Sequence, residues 1–174
     1  MTLLKFQINM LDITIRILSV DELNDFRTIR LSALAKAPQM FGSTYEIEVL
    51  KPYSFFESCL SNSIVFGVYH KDKIIGLATL TREGGMKLSH KASLSSVFIE
   101  PEFQRQGIAT KLLHTVIAYS KEQVEQILLS VADDNQSAIH LYQKNGFQTY
   151  GVELKALKND TGYTDELLMK LFLF

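Results

Sequence analysis

Residues 104–110 combine glutamine side chains, a glycine and the start of a helix in a pattern suited to binding an anion. Residues 93–99 alternate and then become apolar, as a half-buried strand does, whereas Ile108, Leu112 and Val116 recur at helical spacing. The first amides of a helix lack carbonyl partners and lie at the positive end of its dipole, so they favour a phosphate or pyrophosphate. Gly107 removes the side chain where such a group would approach the backbone.

This segment alone leaves the ligand open. A glycine between a strand and a helix commonly serves only the turn. A dinucleotide fingerprint requires three glycines where residues 104–110 have one, and a phosphate-binding loop of the Walker type requires a Gly-Lys-Ser/Thr sequence that does not follow.

A second segment about thirty residues further on narrows the possibilities. Residues 127–132 form a predicted strand, which is followed by Asn135 and by a predicted helix that ends near Gly146. The two segments together resemble the GCN5-related N-acetyltransferases, well over residues 73–174 and loosely before them. The resemblance rests on two motifs, Gln-x-x-Gly-x-Ala at Gln104, Gly107 and Ala109, and Asn-x-x-Ala-x-x-Leu-Tyr-x-x-x-Gly-Phe at Asn135, Ala138, Leu141, Tyr142, Gly146 and Phe147.

The resemblance implies that acetyl-CoA is the co-substrate and that no metal takes part. In the family the turn amides bind the pyrophosphate, the preceding strand is splayed from its neighbour, and its free backbone groups pair with the pantetheine arm and polarise the thioester. Lys144 is a candidate for the 3′-phosphate. The residues expected to bind acetyl-CoA are Val97, Phe98, Ile99, Gln104, Arg105, Gln106, Gly107, Ile108, Ala109, Thr110, Asn135, Ser137 and Lys144.

Tyr142 is the residue to which the resemblance assigns proton chemistry. In the family this tyrosine protonates the departing thiolate, and a phenol that is neutral at physiological pH can serve as such an acid. A tyrosine also commonly packs a helix against a sheet without any chemistry. Asn135 is expected both to cap the helix and to contact CoA, and Gly146 to end the helix in a left-handed conformation.

The group that takes the proton from the attacking amine is not assigned by the sequence. The strand positions at which relatives often carry Glu or His correspond to Ser93 and Ser95, and serine is no base at neutral pH. The alternatives are a water relayed by these hydroxyls, an already neutral acceptor, or a side chain from elsewhere, among which Glu83, Glu46, Glu48 and His90 are candidates.

Composition favours one compact domain. The chain has 174 residues with 47% hydrophobic side chains, from which we predict a single domain over residues 11–174 and a possible extension over 1–10. The formal net charge of −1 gives no general attraction to nucleic acid or membranes. A lone cysteine, Cys59, suits a reducing compartment, and no signal peptide is recognisable, so a cytoplasmic location is expected.

The predicted elements alternate between strands and helices. We expect strands at 12–18, 64–69, 74–81, 92–99, 127–132, 148–154 and 166–173, a helix from a Ser19-to-Glu22 capping box to about Ala37, and a short helix at 53–60 with a second box, Ser54 to Glu57. With the two motif helices, the resemblance implies an α/β (α+β) fold. Its mixed, mostly antiparallel central sheet would have about six to seven strands flanked by about four helices.

The expected activity is transfer of an acetyl group to a primary amine, most simply of a small molecule, within a ternary complex. Two alternatives remain open, a non-catalytic acyl-CoA-binding module and an acetyltransferase for peptide or protein amines. A homodimer paired through the apolar C-terminal strand is a further possibility. Candidate residues around the acceptor are Arg30, Phe41, Tyr45, Glu46, Tyr150, Tyr163 and Asp165.

Overall fold

The computed structural model describes residues 12–174, and the possible extension over 1–10 lies outside them. Within these described residues, seven strands form one sheet in the order β1-β2-β3-β4-β5-β7-β6, in which only the β4–β5 pair is parallel. The strands are β1 (Ile13–Ile17), β2 (Ile64–His70), β3 (Lys73–Arg82), β4 (Lys91–Ile99), β5 (Gln126–Ala132), β6 (Gln148–Asn159) and β7 (Gly162–Phe172). The predicted mostly antiparallel sheet is confirmed.

Four longer helices and one short one cover the two faces of the sheet. They are α1 (Leu23–Lys36), α2 (Tyr45–Glu48), α3 (Tyr53–Asn62), α4 (Ile108–Ser120) and α5 (Gln136–Lys144). One buried cluster joins α4 and α5 to the sheet through residues such as Leu112 and Leu129, and a second joins α1 and α3 to the opposite face through residues such as Phe56 and Leu77. The apolar periodicities of strands and helices therefore meet in two cores, one on each face.

The first predicted capping box is present and the second is not. Ser19 and Glu22 exchange both hydrogen bonds of the box, and a short 3₁₀ turn over Val20–Glu22 leads into α1. The helix α3, by contrast, begins after Pro52 with no side-chain cap, so Ser54 lies inside the first turn. The prediction of a box at Ser54 was wrong because Pro52, whose fixed φ suits the start of a helix, occupies the cap position two residues earlier.

The last hairpin is longer than predicted, and it changes which strand lies at the edge. Strands β6 and β7 continue to a tight turn at Asp160 and Thr161, but two irregularities in their register break the alternation on which the prediction depended. The C-terminal strand β7 is paired on both sides, with β5 and β6, so the edge on which the homodimer was predicted belongs instead to β6. The homodimer itself stays a prediction.

Two further features concern membranes and metals. Within the described range 12–174, no helix has the length and apolar character needed to cross a bilayer. In the same range, no three side chains of His, Cys, Asp or Glu are grouped so that they could hold a metal ion.

Candidate functional site

The parallel strands β4 and β5 separate after three residue pairs. They pair at Lys91 with Gln126, Ala92 with Ile127 and Ser93 with Leu128, and no later pair is assigned between them. Beyond this point β4 contains an irregularity opposite β3, where Ser96 has a positive φ of 55°. A bulge of this kind bends the strand away from its neighbour. The splayed strand implied by the resemblance is therefore present, and it opens a gap in the middle of the sheet.

The register decides which backbone groups face the gap. The N–H of Glu100 donates to the carbonyl of Ile75 at 2.8 Å, and Ile99 lies opposite Gly76. Alternation along an antiparallel pair then turns the backbone of Phe98 toward β3 and that of Ile99 toward the gap. The carbonyl of Ile99 accepts a hydrogen bond from the Gln104 side chain at 2.8 Å, so its N–H is the group available to a ligand. Phe98 contributes its side chain to the second core instead.

The turn between β4 and α4 presents its amides to a cavity. Arg105 and Gly107 have positive φ values of 58° and 80°, and α4 begins directly after Gly107 without a side-chain cap. A Cβ added at Gly107 would meet nothing within 4 Å, which places this backbone at open space. The free first-turn amides, the helix dipole and the absent side chain together suit an anion such as pyrophosphate.

A cavity of about 400 Å³ runs from this turn to α5. Every residue expected to bind acetyl-CoA lines it except Gln106 and Ile108. Gln106 donates to the carbonyl of Glu102 at 3.3 Å, and the side chain of Ile108 is fully buried in the core, so only its amide lies in the turn. The lining residues that were not expected to bind acetyl-CoA are Ala37, Met40 and His140, together with the motif residues Ala138 and Leu141.

Tyr142 lies at the inner end of this cavity. Its side chain is 7% exposed and packs edge-to-face on Phe147, with ring centroids 5.6 Å apart. Burial raises the pKa of the Tyr142 phenol above its ordinary value, which keeps the group protonated at neutral pH. Across residues 12–174, no side chain or backbone group forms a hydrogen bond with its hydroxyl. The ring of Tyr142 thus packs its helix against the sheet, which is the structural role considered for it in the sequence analysis. The hydroxyl stays free for a ligand.

Both ends of α5 are capped as expected. The Asn135 side chain accepts from the N–H of Ala138 at 3.1 Å. At the other end Gly146 adopts a φ of 91°, and the N–H groups of Gly146 and Phe147 donate to the carbonyls of Gln143 and Tyr142. These caps fix the helix that carries Tyr142.

A smaller cavity of about 50 Å³ lies in the gap between β4 and β5. It adjoins the larger cavity, since the two share Met40, Val97, Asn135, Ala138 and Tyr142. Ser95 and Ser130 line it from the two splayed strands, and Glu166 lines it from β7. Glu166 was not predicted from the sequence. It reaches the cavity because β7 pairs with β5, and nothing within residues 166–173 indicates which strand β7 pairs with.

Arg30 ties two helices to the bulge in β4. Its guanidinium donates to both oxygens of Glu48, at 2.9 and 2.6 Å, and to the hydroxyl of Ser96 at 2.9 Å. Burial alone would raise the pKa of Glu48, but hydrogen bonds from Arg30 and Ser43 outweigh it, so the pKa lies below its usual value. The Glu48 carboxylate is 3% exposed and committed to Arg30, which does not suit a base for a substrate.

The other predicted acceptor residues are not grouped at the gap, and apart from Phe41 none of them lines either cavity at Tyr142. Arg30 also lies over the ring of Phe41, 5.2 Å from its centre, and Phe41 lines the small cavity. Asp165 accepts from the N–H of Lys155 at 2.6 Å. The remaining members of the set are half-exposed or exposed at the surface: Tyr45, Glu46, Tyr150 and Tyr163.

The family to which this arrangement belongs follows from comparison with known proteins. Residues 31–147 match the family model described as the acetyltransferase (GNAT) family. The chain belongs to the GNAT family. Its members are acyltransferases that use acetyl-CoA, so the splayed gap, the anion-binding turn and Tyr142 lie in the framework of an acetyltransferase.

Named relatives include an N-acetyltransferase for a ribosomal protein. An N-alpha-acetyltransferase of Saccharolobus solfataricus is 29% identical over 156 residues, which cover 84% of each chain. The [ribosomal protein bS18]-alanine N-acetyltransferase of Escherichia coli K12 is 30% identical over 82 residues, or 47% of this chain and 55% of the relative. A putative acetyltransferase from Salmonella typhimurium, solved with its cofactor acetyl-CoA, shares the fold with a TM-score of 0.77 and 16% identity, over 93% of this chain and 94% of that one.

Proposed function

We propose that the protein is an N-acetyltransferase that moves the acetyl group of acetyl-CoA directly to a primary amine in a ternary complex. The observation that carries the proposal is the 400 Å³ cavity, which joins the turn at Gly107 to the hydroxyl of Tyr142 through the gap beside Ile99. Three kinds of group thus follow one another along the cavity: the amides of the turn, the unpaired backbone of β4 and the Tyr142 hydroxyl. In the same order, they suit the pyrophosphate, the amide-containing pantetheine arm and the thioester of acetyl-CoA.

The protein's own groups would divide the binding of acetyl-CoA among them. Amides within residues 105–110 would hold the pyrophosphate, with Arg105 at its edge, whereas the N–H of Gln104 donates to the carbonyl of Pro101 at 3.3 Å. Lys144, exposed at the rim of the cavity, would meet the 3′-phosphate. The N–H of Ile99 and the backbone of Val97 would pair with the pantetheine arm. One of these amides would also stabilise the negative charge that develops on the carbonyl oxygen, which is usually the largest contribution in acyl transfer.

The acceptor class has two candidates. A small-molecule amine agrees with the small cavity next to Tyr142. The α-amine of a polypeptide is supported by the named relatives, one of which is an alanine N-acetyltransferase for a ribosomal protein. We favour the polypeptide, because the acceptor named for the bS18 relative is a ribosomal protein.

Binding of acetyl-CoA is the first experiment. Calorimetric titration of wild-type protein should show binding, and Gly107→Glu should abolish it, because a carboxylate there obstructs and repels the pyrophosphate. Gly85→Glu is the matched control, since Gly85 also has a positive φ, 87°, and also has nothing within 4 Å of an added Cβ, but lies away from the cavity. Equal binding by wild type and Gly107→Glu would contradict the site.

Thiol release from acetyl-CoA then identifies the acceptor. The acceptors to be tested form a panel: a peptide that begins with alanine, the same peptide with a blocked N-terminus, free alkylamines and polyamines. Thiol release only with the peptide whose N-terminus is free supports a polypeptide α-amine as the acceptor. Thiol release with the alkylamines supports a small-molecule acceptor.

A non-catalytic acyl-CoA-binding module is the second candidate. Serine at positions 93 and 95, where many relatives carry a base, favours it. Binding of acetyl-CoA without thiol release for any member of the panel would support this module over the enzyme.

A further inference from the structure

We propose that Glu166 is the carboxylate that takes the proton from the attacking amine. This rests on the proposed function and adds the one catalytic group that the sequence left unassigned. Glu166 is half-buried and lines the same small cavity as Tyr142, in the gap between β4 and β5.

Glu166 and Tyr142 approach the gap from opposite faces of the sheet. On β7, Leu167, Met169 and Leu171 pack in the core formed with α4 and α5, which also contains Tyr142. Because side chains alternate along a strand, Glu166 lies on the other face. The amine can therefore enter from the face of Glu166 while the thioester lies on the face of Tyr142, and the two meet where the strands have parted.

The carboxylate of Glu166 is uncommitted. Across residues 12–174 it makes no hydrogen bond and no ion pair, although it lies next to the committed Asp165. Its partner on β5 is Ala132, which is too small to fill the space beside it and which also lines the cavity. A free carboxylate beside a small cavity is the state required of a proton acceptor.

The candidate carboxylates from the sequence are less suitable. Glu48 is held by Arg30, as described above. Glu83 accepts a hydrogen bond from Ser93 at 2.5 Å, at the closed end where β4 and β5 still pair. Neither Glu83 nor Glu46 lines the cavities at Tyr142.

The proton and electron movements balance with these two groups. The ammonium form of the acceptor gives one proton to Glu166, and the nitrogen lone pair forms the N–C bond with the thioester carbonyl carbon. The C–S bond then breaks, and the sulfur takes the proton of Tyr142. The second nitrogen proton restores the phenol, and Glu166 releases its proton to water, so that one proton is liberated per acetyl group transferred.

The test compares Glu166→Gln with wild type on the best acceptor from the panel. We expect kcat to fall by about 100-fold, with the KM for acetyl-CoA and the calorimetric affinity unchanged. Glu153→Gln is the matched control, because Glu153 pairs directly with Glu166 on β6 but lines neither cavity, and its kcat should stay within about twofold of wild type.

Chemical rescue separates proton transfer from a structural role. Added formate should restore part of the activity of Glu166→Ala and should leave Tyr142→Phe unchanged. Glu166→Gln activity within threefold of wild type would overturn the assignment of Glu166 and leave the acetyltransferase intact. A Glu166→Ala variant that formate does not rescue would also overturn it. A folded wild type that binds acetyl-CoA but acetylates no acceptor would overturn both proposals.

Discussion

At the scale of single residues, Tyr142 combines two properties that rarely occur together. Its ring is buried against Phe147, yet its hydroxyl has no partner among residues 12–174. Among residues 12–174 the fully buried side-chain polar atom without a partner is Arg27 Nε, so the Tyr142 hydroxyl is reachable from the cavities that the residue lines. The ring of Tyr142 therefore serves packing, and its hydroxyl is the part available to a ligand.

Replacing this hydroxyl should affect catalysis far more than binding. For Tyr142→Phe we expect kcat to fall at least about tenfold, because the thiolate loses its proton donor, with little change in acetyl-CoA affinity. Steady-state thiol release and calorimetry measure the two quantities. Tyr119→Phe should change neither quantity, because Tyr119 lies in α4, packs on Phe66 of β2 and lines neither cavity at Tyr142. An unchanged kcat in Tyr142→Phe would reduce Tyr142 to a packing residue.

Arg30 and Glu48 form a largely buried ion pair. Arg30→Met leaves the carboxylate of Glu48 buried without its partner, which typically costs about 3–5 kcal/mol of unfolding free energy. The double variant Arg30→Met, Glu48→Met should recover most of that loss. Urea denaturation of the four proteins of this cycle measures the coupling, and additive losses would contradict a coupled pair.

At the scale of elements, the start of α1 shows how a local box responds to pH. Hydrogen bonds from the Ser19 hydroxyl, from Arg16 and from the Ser19 backbone lower the pKa of Glu22 to about 2. A carboxyl whose pKa is lower in the folded state stabilises the fold above its unfolded value of 4.5, and that contribution is lost as the pH falls toward 2.

Acid should therefore weaken wild type more than a variant without this carboxylate. Between pH 6 and pH 3, the urea midpoint of wild type should fall further than that of Glu22→Gln. Glu57→Gln is the matched control, since the box predicted for it does not form, and its pH response should match wild type. Parallel pH responses of wild type and Glu22→Gln would exclude a role for the box.

The features that could be predicted from the sequence are those determined by residues close together in the chain. Gly107, Asn135 and Gly146 are fixed by turn and cap chemistry within a few residues, so their positions were predictable. The extension of β6 past residue 154 was not, because bulges shift the alternation on which strand prediction depends. Glu166 and the Arg30–Glu48 pair depend on contacts between distant segments, which one sequence does not specify.

At the scale of the whole molecule, the sheet consists of two parts joined by a short ladder. Strands β1 to β4 form one part and β5, β7 and β6 the other, and only three residue pairs between β4 and β5 connect them within the sheet. A ligand in the gap would bridge both parts. Binding should therefore stabilise the region where they meet.

Acetyl-CoA should raise the melting temperature and slow amide exchange at the gap. At 100 times its Kd, a ligand adds about 2.7 kcal/mol of stability, which corresponds to roughly 5–10 °C for a chain of this size. Hydrogen exchange should slow in residues 94–99 and 129–132 as well as in the turn at 104–110. Protection confined to the turn would contradict bridging, and Gly107→Glu should show neither effect.

The parted strands also have a consequence for inhibitor design. The gap leaves space where β4 would otherwise continue its pairing, with the N–H of Ile99 directed into it. A short extended compound carrying amides at peptide spacing could occupy this opening as an added strand and compete with the pantetheine arm. Such a compound would distinguish this protein from other acetyltransferases of the same fold through the side chains that line the opening, here Met40 and Phe41. The backbone contacts would not contribute to this selectivity.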